Sequence, residues 1–258
     1  MTFSAIEVQA FLLALLRTGG FVAVAPALSH RLVPVPVRVG LSLALAWALA
    51  PQVAAGLPHA PDHLLQFAVL GLQEVLTGAV VGFAFSLLFS GLQAAGEILG
   101  LQMGFGVAGV YDASSEEQTG VLGQFQLILG LLLFFAMNGH HLMLRAFFDS
   151  YRVVGTDGLQ LAASGLDSVI RLSGTLFVIA VKAAAPVLAA VLLTEITLGI
   201  TARTMPQMNV FAVGFPLKIG VGLVTLAGAL PLFASLLGNL LLQLSASLDG
   251  LLAGLGTR

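Results

Sequence analysis

Six ionisable residues stand in or at the ends of strongly hydrophobic runs: Arg17, Glu74, Glu97, Lys182, Glu195 and Lys218. Burying a charge in hydrocarbon costs from about 2.5 kcal/mol upward on insertion scales, so each needs a partner, a wet cavity or the membrane interface. Glu74 and Lys218 suit helix-end positions at that interface. Lys182, in VIAVKAAAPVL, has the least chance of reaching water by extending along its helix. Glu195 lies thirteen residues further on, about 20 Å along a straight helix, so a partner on another helix or another subunit fits Lys182 better. Arg17, Glu97, Lys182, Glu195 and Lys218 are thus candidates for charges that hold subunits in register.

Other chemistry finds no support. His140 and His141 are adjacent, about 100° apart on a helix, with no Cys, Asp or Glu at ligand spacing, which argues against a metal site. The preceding Asn138–Gly139 reads as a turn or helix end. Metalloprotease, nucleophile-elbow, phosphate-loop and dinucleotide fingerprints do not occur, so neither catalysis nor a cofactor is expected. With no cysteine there is no disulfide, thiolate metal site or thiol nucleophile. A net charge of −2 without any basic stripe excludes an electrostatic nucleic-acid binder.

The elements that must position these residues are apolar helices. The 258 residues are 58% hydrophobic and 9% charged, against about 45–50% and about 25% in a soluble domain. Residues 39–61, 75–96, 118–144 and 219–248 contain no Asp, Glu, Lys or Arg. About 20 such residues cross a ~30 Å hydrocarbon core as a helix. Six apolar segments follow, at residues 3–27, 37–53, 67–92, 121–137, 172–193 and 210–244. The last is long enough to be a hairpin, punctuated by Pro216, Gly220, Gly222 and Pro231. The first segment is expected to be retained rather than cleaved as a signal peptide, because Glu7 precedes it and Arg17 interrupts it. Residues 1–258 read as one membrane domain, with a surface helix in the connection 140–171.

Orientation from loop cations fails. Six alternating spans place Arg31, Arg38 and Arg203 on one side, and Arg145, Arg152, Arg171 and Arg258 on the other. Three against four decides nothing, and broken or re-entrant segments would produce such a count.

Glycines form two patterns. Gly78 and Gly82, and Gly96, Gly100 and Gly104, repeat every fourth residue. Small residues on one face let helices approach closely, either within this chain or against other membrane subunits. The stretch GEILGLQMGFGVAGVYDASSEEQTG (96–120) begins as an apolar helix and loosens at Gly104, Gly106 and Gly109. It carries bulky Phe105, Val107, Val110 and Tyr111, and reads either as an extramembrane turn or as a hydrophobic gate lining a cavity.

The runs LQMGFGVAGVYD (101–112), NGHH (138–141) and PQMNVFAVGFPLKIGVGL (206–223) resemble the FliR family of flagellar biosynthetic proteins, whose close relatives serve virulence-type (type III) secretion. The resemblance covers essentially the whole chain. The 206–223 block is its most specific part, since Pro and Lys interrupt an otherwise interchangeable apolar sequence. Where such proteins often carry Asp-Pro after the glycine-rich stretch, this chain has Asp112–Ala113.

The resemblance implies an all-α integral membrane subunit of inclined, partly broken helical hairpins, like a fusion of FliP-like and FliQ-like hairpins. It implies FliP-like, FliQ-like and FlhB-like partners in an export gate for unfolded flagellar proteins. The gate sits in the bacterial inner membrane at the flagellar basal body, projecting to the periplasmic side. It also implies a pore plug, carried here by Gly104, Phe105, Gly106, Val107, Gly109, Val110 and Tyr111. The competing reading is a secondary transporter of a small solute, with a midplane site near Pro186 and Pro216 beside Lys182 and Lys218.

Overall fold

A computed structural model of the chain describes residues 4–29, 33–57, 63–105, 120–155, 163–207 and 209–255. These residues are almost entirely helical, with no strand among them. The helices are α1 (Ala5–Val24), α2 (Val35–Gly56), α3 (Leu64–Met103), α4 (Val121–Ala136), α5 (Gly139–Val153), α6 (Ala163–Thr204) and α7 (Val210–Leu255). Five of them are long and apolar enough to cross a membrane, and the bent pair α4–α5 is a sixth candidate. The chain is therefore an all-α, multi-span membrane protein.

Local sequence sets the helix ends. Ser4 accepts from the Glu7 amide while the Glu7 side chain accepts from the Ser4 amide, a reciprocal cap that starts α1. Ala25, held extended because Pro26 follows it, stops that helix. Pro36 in the first turn of α2 presents no amide where none would be paired. Between α4 and α5, Asn138 adopts the left-handed conformation (φ 56°, ψ 28°), and the two helices bend by 75°. The turn thus falls where Asn138–Gly139 places it, and α5 occupies part of the polar connection.

Three helices exceed their expected bounds. α3 continues to Met103 rather than ending near residue 92, and α6 extends both ways to 42 residues. α7 is one 46-residue helix through Pro216 and Pro231, so the hairpin alternative is wrong. In water an internal proline costs about 3 kcal/mol. In an apolar medium a broken helix would strand several polar backbone groups, and continuity wins. At 1.5 Å per residue α3, α6 and α7 measure about 60–70 Å, twice the hydrocarbon thickness. Such helices exceed simple spans, so the simple alternation assumed in counting loop cations does not describe them.

The chain forms two compact units, and α3, α6 and α7 contribute to both. Unit 1 comprises Met1–Leu87, Asn138–Ser173 and Leu241–Arg258. Its core joins Ala10, Leu13 and Phe21 of α1 to Phe85 of α3, Phe147 of α5 and Leu248 of α7. Phe21 stacks on Phe147 at 4.5 Å between ring centroids. Unit 2 comprises Leu88–Met137 and Gly174–Leu240. Leu92, Leu99 and Met103 of α3, Phe134 of α4, Val187 of α6 and Leu237 of α7 fill it, with Phe89 edge-on to Phe134.

Candidate functional site

In unit 1 the chain builds a closed polar cluster around Arg17. Arg17 is 0% exposed and Glu74 2%. The guanidinium meets the carboxylate through two parallel bonds, Nε to Oε2 and Nη2 to Oε1, the latter at 2.9 Å. Nη2 also donates to the Gly155 carbonyl at 2.7 Å, and Nη1 reaches Ser150 Oγ at 3.5 Å. The Tyr151 ring covers the cation 4.0 Å from Cζ, and its hydroxyl donates to the Ala14 carbonyl. Planar, forked donors suit such a two-point carboxylate contact, and the aromatic face shields the remaining charge. Glu74 is therefore an interior partner and not the interfacial helix-end residue that its sequence position suited.

Glycines allow that pairing. A Cβ on Gly78 would drive into the backbone carbonyl of Arg17, and one on Gly20 into that of Val75. One on Gly82 would lie 2.9 Å from the Ala25 nitrogen and the Phe21 oxygen. The backbones of α1 and α3 thus touch along Gly20, Gly78 and Gly82. Glu74 lies one turn before Gly78 on the same face of α3, so this contact delivers its carboxylate to Arg17. Gly78 and Gly82 pack within the chain.

Unit 2 holds the other sequence candidates. Gly96 of α3 crosses α4 so closely that a Cβ would lie 2.7 Å from the Gly123 Cα, whereas Gly100 has room, with Leu122 Cβ at 3.9 Å. Glu97 is half-buried and accepts from Gln93 Nε2 at 3.1 Å. Glu195 pairs with Lys218 at 2.8 Å and also accepts from Gln102 at 3.0 Å, which ties α6 to α7 and α3. Lys182 stays apart from these. It is exposed on α6 and has no hydrogen bond or ion pair among the described residues.

α3 ends at the start of the candidate plug. Gly104 takes φ +95°, and the Phe105 amide donates back to the Gly100 carbonyl at 2.9 Å. This is a glycine-terminated helix end in which only a residue without a Cβ sits at ease. Such a Cβ would also lie 2.5 Å from Phe215 Cδ1 of α7. Gly106, Val107, Gly109, Val110 and Tyr111 lie outside the described residues.

Sequence reasoning did not single out Gln126, Ser150, Tyr151, Gly155, Gln102 or Asn239. Ser150 and Tyr151 carried no signal, since a surface helix holds many such residues. Gln126 carried one: it is a polar residue inside the charge-free run 118–144. It is 1% exposed, both its amide atoms lack a partner, and it lines a cavity of about 320 Å³ with Lys182, Pro186, Phe233, Ser235 and Asn239. Among the described residues no group of three His, Asp or Glu is placed to hold a metal ion.

Two helical units, a buried ion pair and a glycine-ended helix leading to a hydrophobic run describe a scaffold in a membrane. Comparison with known proteins says which one. Residues 8–244 match the profile of the bacterial export proteins, family 1. The chain belongs to that family. Its relatives include the flagellar biosynthetic protein FliR of Escherichia coli (strain K12), 32% identical over 220 residues, covering 85% of this chain and 84% of the relative. FliR of Bacillus subtilis (strain 168) is 33% identical over 222 residues, covering 84% of each. FliR of Pectobacterium carotovorum is 30% identical over 251 residues, covering 93% and 95%. The family match spans helices from α1 into α7 and contributes to both units.

Proposed function

We propose that this chain is a subunit of the flagellar type III protein export gate, helping to form and plug the channel through which unfolded flagellar proteins leave the cell. The match of residues 8–244 to an export family carries the reading, and membership makes the chain an export component in flagellar biosynthesis. FliP-like and FliQ-like membrane subunits, with an FlhB-like one alongside, are its partners in this reading. The assembly sits in the inner membrane at the basal body and projects to the periplasmic side. Support comes from helices of about 60–70 Å, too long for simple spans. Exposed bulky groups such as Phe177 on α6 and Phe211 on α7 offer apolar surface to such neighbouring subunits.

The plug is assigned to Gly104–Tyr111 in numbering order: Gly104, Phe105, Gly106, Val107, Gly109, Val110 and Tyr111. Gly104 at the end of α3 turns the chain out of the helix, and the apolar groups after it close the channel by excluding water. Small-solute transport loses its main support, because α6 and α7 run unbroken through Pro186 and Pro216, and Lys218 is occupied by Glu195.

Deleting the gene and restoring it on a plasmid tests the function. Loss and recovery of both motility and flagellar protein secretion are expected; secretion that persists in the deletion strain would overturn the reading. For the plug, shortening residues 105–111 should raise ion leakage while the assembly stays intact, and unchanged membrane conductance would overturn that assignment.

A further inference from the structure

The cavity of unit 2 has a composition that its own chain does not complete. Lys182 brings a positive charge to its wall, and Gln126 brings an amide that is 1% exposed with neither atom bonded. Asn239 of α7 adds a second amide, and the rest of the wall includes apolar Pro186 and Phe233. A buried amide left unbonded costs about 1–3 kcal/mol, and the Lys182 ammonium, exposed in the isolated chain, would be stranded once a neighbouring helix covered this face without an anion. One entering group that carries negative charge and accepts hydrogen bonds pairs with the ammonium and takes the Gln126 Nε2 donor, leaving the Oε1 acceptor within reach of the ammonium itself.

We infer that this cavity receives a carboxylate side chain from a neighbouring membrane subunit, held by Lys182 and the Gln126 amide. This rests on the chain being a subunit of a membrane assembly, as proposed above. Charge complementarity selects an anion, and position selects its source. The nearest ionisable residues along α6 are Arg171, eleven residues before Lys182, and Glu195, thirteen after. Those separations are about 16 and 20 Å along the axis, which places Lys182 near the middle of an apolar span and away from lipid phosphates. A helix packed on this face reaches that depth with a short carboxylate. The acids on this helix are already engaged, Asp167 by Arg171 and Glu195 by Lys218 and Gln102.

The test uses the full-length chain in its own flagellated host, with membrane abundance of the chain and co-purification of its export partners measured side by side. Lys182→Met and Lys182→Glu should leave abundance unchanged, because the side chain is exposed in the isolated chain. They should weaken assembly by about thirty-fold or more, as truncating one partner of a buried charge pair does. Lys182→Arg should retain most of the assembly, and Gln126→Leu should weaken it less than Lys182→Met. Motile revertants of Lys182→Glu should change an Asp or Glu of another membrane subunit to a neutral or basic residue.

Assembly of Lys182→Met and Lys182→Glu at the wild-type level would overturn the inference, as would revertants confined to this chain. A phospholipid retained by the wild-type complex and lost from Lys182→Met, with subunits unchanged, would give the cavity to lipid and overturn it too. The wild-type arm separates the two readings. If wild type assembles with export subunits and the Lys182 variants match it, only the carboxylate site fails. If wild type does not assemble with them, the export-gate reading fails.

Discussion

Arg17 and Lys182 are both cations set in apolar helices, but the chain surrounds the first and leaves the second bare. Around Arg17, α3 supplies a carboxylate, α5 a hydroxyl and an aromatic face, and Gly155 just beyond α5 a backbone carbonyl, and the whole cluster is closed. Around Lys182 there is a cavity with an unbonded amide and, among the described residues, no anion in its wall. A cation satisfied within the chain belongs to its folding. A cation left bare becomes stable when something outside the chain supplies the opposite charge. The difference divides the molecule by role: unit 1 holds itself together, while unit 2 carries the features that the proposed gate uses, namely the end of α3 and the cavity.

The largest effect should come from removing one half of the closed cluster. Glu74→Leu leaves Arg17 buried and unpaired, which costs about 3–5 kcal/mol. The chain should then melt at lower temperature in detergent and fall in membrane abundance. Arg17→Met combined with Glu74→Leu should recover most of that loss, since replacing both charges by apolar groups is often close to neutral. A single Glu74→Leu variant as stable as wild type would break the contrast.

Next comes the backbone contact that delivers Glu74. Gly78→Ala pushes α1 and α3 apart and should cost about 1–3 kcal/mol in thermal unfolding. Gly19→Ala is the matched control, because a Cβ there meets nothing within 4 Å. It should be neutral or add up to about 1 kcal/mol. In unit 2, Gly104→Ala must hold φ +95° with a Cβ, a strain of about 1–2 kcal/mol, and must displace the Phe215 ring. The expected outcome is raised ion leakage with little loss of assembly, read as membrane conductance. The smallest effect on stability belongs to Lys182→Met, within about 0.5 kcal/mol in the isolated chain. Its effect should appear in assembly alone.

The sequence made the helices legible because charge-free apolar runs of this length have few other uses. It also marked Arg17, Lys182 and the glycine spacing, since each is unusual where it stands. It did not show that Glu74 is the partner of Arg17, 57 residues away, because that depends on where α1 crosses α3. The crossing is itself set by Gly20, Gly78 and Gly82, but four-residue glycine spacing does not say which helix it faces. Nor did it show α7 as one helix, because Pro216 and Pro231 break helices in water far more readily than in hydrocarbon. Gln126 was visible as a polar residue in an apolar run, yet only the cavity beside it distinguishes it from a residue bonded within the core. Five of the seven plug residues lie outside the described structure, so their role rests on the helix end that introduces them.

The most direct test of the export-gate reading is the mass and composition of the complex purified from membranes through this chain. A hetero-oligomer with FliP-like and FliQ-like subunits, lost when the chain is deleted, is the predicted result. A stable single chain that carries a small solute across proteoliposomes would contradict it.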